Sequence, residues 1–100
     1  MGDDMKRLTK AQKENRWLEI LEEECERACR SYNPLKIQSS YLPRSTVYSR
    51  MIHEGTITDR EAWQLAIDTL ERGKRIIRKV GKRNGMHYDK NAMSFYPNKD

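Results

Sequence analysis

The sequence predicts an all-α fold, a small three-helix domain followed by a partly ordered basic and aromatic C-terminal tail. Three observations carry that expectation. Apolar residues recur at three- and four-residue steps, Thr-x-x-Gln and Thr-x-x-Glu strings mark helix starts at Thr9 and Thr58, and Asn33-Pro34 and Gly55 supply stops. With 100 residues, 36% hydrophobic and 35% charged, the chain holds one modest core under a large polar surface. The expected division is a flexible leader over residues 1–8, a helical domain over 9–83 and a tail over 84–100.

The first helix is expected over residues 10–32. Thr9 and Gln12 can each satisfy an otherwise unpaired backbone donor, and Leu8, Ala11, Leu18, Leu21, Cys25, Ala28 and Tyr32 form the apolar stripe, widened by Trp17 and Ile20. Glu23 with Arg27 and Glu26 with Arg30 stand four apart in the favourable order. Glu22, Glu23, Glu24 and Glu26 make an acidic patch, either a solvated face or a dock for the basic end of the chain. Pro34 pushes the residue before it out of helical geometry and ends the helix.

Residues 33–43 read as a connector with Leu35, Ile37, Tyr41 and Leu42 as apolar anchors. Pro43 is suited to open a second helix over 44–54, which presents Val47, Tyr48, Met51 and Ile52 on one side and stops at Gly55. A third helix over 58–80 buries Trp63, Ala66, Ile67, Leu70, Ile77 and Val80, with Gly73 as a bend or a point of close approach and Gly81 as its end. In the tail, Asn84-Gly85 signals a turn, and Met86, Tyr88, Met93, Phe95 and Tyr96 are too apolar for a plain disordered end.

Several function classes find no support. The residues after Met1 are charged and no apolar run approaches the roughly 20 residues needed to span a bilayer, so neither export by a signal peptide nor a membrane is expected. Cys25 and Cys29 sit one helical turn apart, which is no disulfide framework, and a cytoplasmic, intracellular setting is expected. No second close pair of ligands completes a zinc site, so the two read as small core residues and no metal or cofactor is expected. His53, Glu54 and Asp59 are neighbours in sequence, but no nucleophile, phosphate loop or paired carboxylates accompany them, and the protein reads as non-enzymatic.

Charge is distributed unevenly. Residues 1–32 carry seven Lys/Arg against eight Asp/Glu, residues 33–71 four against five, and residues 72–100 nine against two. The excess lies in the last third, which points to a localised anionic partner. Arg72, Lys74, Arg75, Arg78, Lys79, Lys82 and Arg83 put seven cations into twelve residues. On a helix Arg72, Arg75, Lys79 and Lys82 share one face opposite Ile77 and Val80, a geometry suited to a row of phosphates. A solvated helix end is the plain alternative, since cations are favoured there by the helix dipole.

The string Leu42–Gly55, L-P-R-S-T-V-Y-S-R-M-I-H-E-G, resembles the turn and recognition helix of small helix-turn-helix and excisionase-like regulators of phages and mobile elements, whose signature is close to S-R-S-T-V-Y-R-x-I-x-x-G. The resemblance covers about fourteen residues. It implies that Arg44, Ser45, Thr46 and Tyr48 face DNA, with Val47 buried and Arg50 at the margin. Ser and Thr also cap ordinary helices, so the same string serves equally as a short core helix.

The expected function is therefore a small nucleic-acid-binding protein, on duplex DNA more than RNA, acting as a regulator or architectural factor. Its candidate contacts are Arg44, Ser45, Thr46 and Tyr48 with Arg72, Arg75, Arg78, Lys79, Lys82 and Arg83. The alternative is a small helical interaction module, an inhibitor or adaptor, that docks on an acidic protein surface. Pairing of the first helix would make a homodimer. The aromatics Tyr88, Phe95 and Tyr96, interleaved with His87, Lys90 and Lys99, either pack back on the helices or stack bases of a single strand.

Overall fold

Four helices and one β-hairpin follow in order along the chain. They are α1 (Lys10–Ser31), α2 (Ser45–Glu54), α3 (Asp59–Asp68), α4 (Leu70–Arg83), β1 (Met86–Asp89) and β2 (Ser94–Pro97). The structure, a computed structural model, describes residues 8–99, so the leader expected over residues 1–8 lies, apart from Leu8, outside the described residues. No helix among the described residues is long and apolar enough to cross a membrane.

The helix starts and stops read from local chemistry are in place. At Thr9 the hydroxyl accepts from the Gln12 amide at 3.1 Å while the Gln12 side chain accepts from the Thr9 amide at 2.9 Å. Thr58 and Glu61 repeat the exchange at 3.3 and 3.0 Å. α2 ends on Gly55 at φ 80°, with the amides of Gly55 and Thr56 donating to the carbonyls of Ile52 and Met51.

The all-α, three-helix expectation is corrected in two places. The third helix expected over 58–80 is two helices, interrupted at Thr69 (φ −102°, ψ 8°) and not at Gly73. Thr69 is buried, and its hydroxyl donates back to the carbonyl of Leu65 at 2.8 Å, a bond that competes with regular helix geometry and turns the chain. Gly73 instead lies inside α4 where α1 packs closely, and a Cβ there would stand 3.3 Å from Cδ2 of Leu21. Gly81 does not end the helix either. α4 runs on to Arg83, and the hairpin begins against the bare Gly81.

The second correction is the tail, which folds as an antiparallel hairpin in register His87 to Tyr96 and Tyr88 to Phe95. Gly85 at φ 68° makes the turn into it. Tyr88 and Phe95 point inward, edge to face at 5.0 Å, and Phe95 is fully buried, while His87 and Tyr96 face out. The connector holds the hairpin down: the Tyr88 hydroxyl donates to the carbonyl of Leu42 at 2.8 Å, the Leu42 amide to Met93 at 2.7 Å, and the Ser40 hydroxyl to Phe95 at 2.5 Å.

The core is built on α1, whose Trp17, Ile20, Leu21, Cys25, Ala28 and Cys29 are buried against α4, α2 and the hairpin. In α3 the buried positions are Ala62 and Leu65. Trp63 is 69% exposed and Ile67 47%, against the expectation that both anchor the core. Leu35 and Ile37 are 90% and 96% exposed and anchor nothing among the described residues.

Candidate nucleic-acid interface

The basic helix α4 has an inner and an outer face. Gly73, Val80 and Gly81 are buried with Ile76 and Ile77 beside them, and on the opposite side Arg75, Arg78, Lys79 and Lys82 are exposed. The flanks between the faces are engaged by acidic side chains. Arg72 donates to Glu14 at 2.7 Å, Arg83 reaches Glu26 at 3.1 Å and Glu22 at 3.4 Å, and Lys74 reaches Glu71 at 3.3 Å. Among the described residues, Arg75, Arg78, Lys79 and Lys82 form no salt bridge. An exposed pair contributes little stability, but it does lower the local charge, so the unpaired cations dominate the outward field.

The acidic patch of α1 thus docks within the chain. Glu22 and Glu26 meet Arg83, and the Asn84 amide donates to Glu26 at 2.6 Å. The helical pairs Glu23 with Arg27 and Glu26 with Arg30 do not form. Glu24 holds Arg27 at 2.8 Å, and Arg50 of α2 donates to Glu23 at 3.0 Å and Glu24 at 2.9 Å. Arg50, at the margin of the resemblance, is therefore tied to α1.

The free face of α4 continues into a groove of about 550 Å³ between α4, the start of α2 and the hairpin. Arg44, Lys74, Arg78, Lys82, His87 and Lys90 line it, no carboxylate among the described residues does, and Ile77, Gly81, Met86 and Tyr88 supply its apolar part. Burial pushes the Tyr88 phenol up to about 12, which keeps it a neutral donor to the Leu42 carbonyl at physiological pH. Lys74 is paired with Glu71, and the other five cationic or ionisable side chains converge without a carboxylate partner among the described residues, an arrangement suited to an anion with several charges.

The sequence-predicted residues divide accordingly. Arg44, Arg78 and Lys82 come together in the groove, and Arg75 and Lys79 extend its charge along the outer face of α4. Arg72 and Arg83 are drawn toward α1. Ser45 and Thr46 are half-buried beside Arg44 and do not line the groove, and Tyr48 turns inward to stack on Trp17 at 6.3 Å. Val47 is fully buried. The segment before α2 consists of turns, so the helix preceding α2 is α1, which ends at Ser31. Lys74, His87 and Lys90 were not among the predicted contacts. In the sequence the last two are cations interleaved with the tail aromatics, and the hairpin carries them to the groove, His87 in β1 beside the inward Tyr88 and Lys90 in the turn after it.

Cys25 and Cys29 are free and buried. Burial is the main cause that pushes their thiols up, to about 12 for Cys25 and about 11 for Cys29, so both are neutral, unreactive core groups at physiological pH. Among the described residues no three His, Cys, Asp or Glu side chains are grouped to hold a metal ion. No known protein family, curated protein or solved structure matches this chain.

Proposed function

We propose that the protein is a small non-enzymatic nucleic-acid-binding protein that holds duplex DNA through its phosphates, as a regulator or architectural factor of the phage or mobile-element type that residues 42–55 resemble. The observation that carries this reading is the groove, without a carboxylate among the described residues, in which Arg44 of the motif-like string meets Arg78 and Lys82 of the basic helix. Arg75 and Lys79 prolong it along α4, and from Arg75 to Lys82 the cations without a carboxylate partner among the described residues span about 10 Å of the helix. Each phosphate neutralised releases counterions, so binding by such a surface needs no base contact. A reducing, cytoplasmic setting suits two free thiols on one helix.

Titration of a fluorescent duplex at two salt concentrations tests the proposal. With four to six phosphates engaged, a fourfold rise in salt weakens binding on the order of 10²- to 10³-fold. Replacing Arg75, Lys79 and Lys82 together with Glu abolishes it. No binding at low salt, or binding unchanged in the triple variant, overturns the proposal.

A second reading has its own observation. Trp63 and Ile67 form an exposed apolar pair one turn apart on α3, the kind of anchor that protein interfaces use, and the cations of α4 would steer an acidic partner toward it. Negligible DNA affinity together with capture of one protein that Trp63→Ala abolishes would favour this interaction module.

A further inference from the structure

A second groove, of about 540 Å³, lies on the other side of the hairpin turn between that turn and the connector 32–41. Its lining has a definite chemical character. Three tyrosines, Tyr32, Tyr41 and Tyr96, and three side-chain amides, Asn33, Gln38 and Asn91, line it, the Asn33 oxygen already accepting from the Leu35 amide at 2.9 Å. No carboxylate among the described residues lines it, and Lys36 does. The volume falls within the range of about 300–1,000 Å³ typical of small-ligand sites.

Two backbone positions in this groove are held in a conformation that side chains rarely adopt. Gln38 has φ 60° and Met93 has φ 51°, the two non-glycine residues with positive φ among the described residues. Each costs roughly 1–2 kcal/mol, and such strain concentrates at binding sites. Both are fixed by main-chain bonds, Tyr41 amide to Gln38 at 3.2 Å and Leu42 amide to Met93 at 2.7 Å.

The two grooves are joined. Tyr96 meets Tyr32 edge-on at 6.3 Å on one side and His87, its cross-strand partner, at 6.3 Å on the other. His87 lines the cationic groove and Tyr96 the tyrosine groove, while Lys90 and Asn91, adjacent in the turn, line one each. A strip of rings therefore leads from the phosphate-binding surface into a pocket of stacking faces and amide edges.

We infer that the tyrosine groove is a pocket for an unpaired nucleobase of a strand whose phosphates occupy the cationic groove. Ring faces stack any base, and side-chain amides match the hydrogen-bonding edges that an unpaired base exposes. Leu35 and Ile37, on the same rim and almost wholly exposed, gain cover from the base and its sugar. The inference rests on the nucleic-acid reading above, and it extends that reading from duplex to junctions between double and single strands.

The test compares the full chain on one blunt duplex and on the same duplex carrying a short oligothymidine overhang. The overhang is expected to tighten binding about 5- to 100-fold. Tyr96→Ala and, independently, Tyr41→Ala remove that gain and leave blunt-duplex affinity unchanged, whereas Tyr96→Phe, which keeps the ring, retains it. Circular dichroism confirms that each variant is folded, and two separate tyrosines keep the test decisive if one variant is not. Blunt duplex bound with no gain from the overhang, or a gain that survives both alanine variants, overturns the pocket and leaves the duplex reading standing. Binding to neither probe overturns both. A change in sedimentation of Tyr96→Ala with the overhang gain intact assigns the groove to a second copy of the chain and also overturns the inference.

Discussion

A β-carbon on Gly81 would stand 2.8 Å from the carbonyl oxygen of Met86, the first residue of β1. That oxygen belongs to the main chain and moves only if the hairpin moves with it. Gly81→Ala is therefore expected to destabilise by about 1–3 kcal/mol, although alanine is the better helix former. Gly73→Ala meets only the Cδ2 methyl of Leu21 at 3.3 Å, the end of a side chain and not main chain. Its helix-propensity gain of up to about 1 kcal/mol offsets the crowding, so stability should stay near wild type. Thermal melts of the two variants decide it, and a Gly81 variant as stable as the Gly73 variant contradicts the packing.

Glu24 is the carboxylate on which α1 and α2 converge. Its side chain is 11% exposed and accepts from both Arg27 and Arg50, while Glu23 shares Arg50 at 57% exposure. Removing a shielded acceptor leaves two guanidinium groups short of a partner, whereas the exposed one is screened by water. Glu24→Ala should cost about 1–2 kcal/mol and Glu23→Ala less than about 0.5 kcal/mol. Equal losses in urea denaturation would show that the α1–α2 contact does not depend on Glu24.

What the sequence made legible was set by chemistry within four or five residues. The exchanges at Thr9 with Gln12 and Thr58 with Glu61, the left-handed Gly55 and the turn at Gly85 depend on local backbone groups alone. The break at Thr69 was hidden because its cause is a hydroxyl bond back to Leu65, which neither proline nor glycine advertises. Trp63 was misplaced because α3 offers two overlapping stripes, and the inward one, Ala62, Leu65 and Thr69, is selected by contacts with the rest of the fold. Four-residue strands are too short for alternation to declare itself, so His87 and Lys90 were visible only as cations among the tail aromatics and not as neighbours of Arg44, Arg78 and Lys82. The cations of α4 were evident as a run, but which of them Glu14, Glu22 and Glu26 engage depends on how α1 lies across the helix.

That division among the cations has a measurable consequence. Arg75→Ala and Lys79→Ala each remove a charge with no partner among the described residues, so each should lower the log–log salt slope of duplex binding by about 0.9 and leave the melting temperature within a degree or two. Arg72→Ala and Arg83→Ala remove contacts to α1 and should change the slope less. Equal slopes for all four variants would mean that the intramolecular pairs open on binding.

Trp63 and Trp17 should respond in opposite ways. Trp17, 3% exposed and stacked on Tyr48, is a core residue whose replacement by Ala costs about 3–5 kcal/mol, while Trp63→Ala at 69% exposure should cost less than about 1 kcal/mol. Iodide should quench the fluorescence of Trp17→Phe, in which only Trp63 remains, far more than that of Trp63→Phe. Similar quenching of both would place Trp63 under cover.

Acid should loosen the contacts that fasten α1 to α2 and α3. The guanidinium of Arg16 holds the Glu54 carboxyl below its ordinary 4.5, and Lys13, with help from the Thr58 amide, does the same for Glu61. A carboxylate whose folded pKa is depressed binds fewer protons folded than unfolded, so its contribution is complete above the unfolded value near 4.5 and disappears as pH falls through the lower folded value. The melting temperature should therefore be flat from pH 7 to about pH 5 and fall below that. Glu54→Gln cannot titrate, so its stability should start lower at pH 7 and decline less on acidification. Glu61→Gln is the sharper probe, because glutamine keeps the capping exchange with Thr58, as Gln12 does with Thr9, and removes only the charge pair with Lys13. If both variants lose stability with acid as steeply as wild type, these two carboxylates are not the origin of the acid sensitivity.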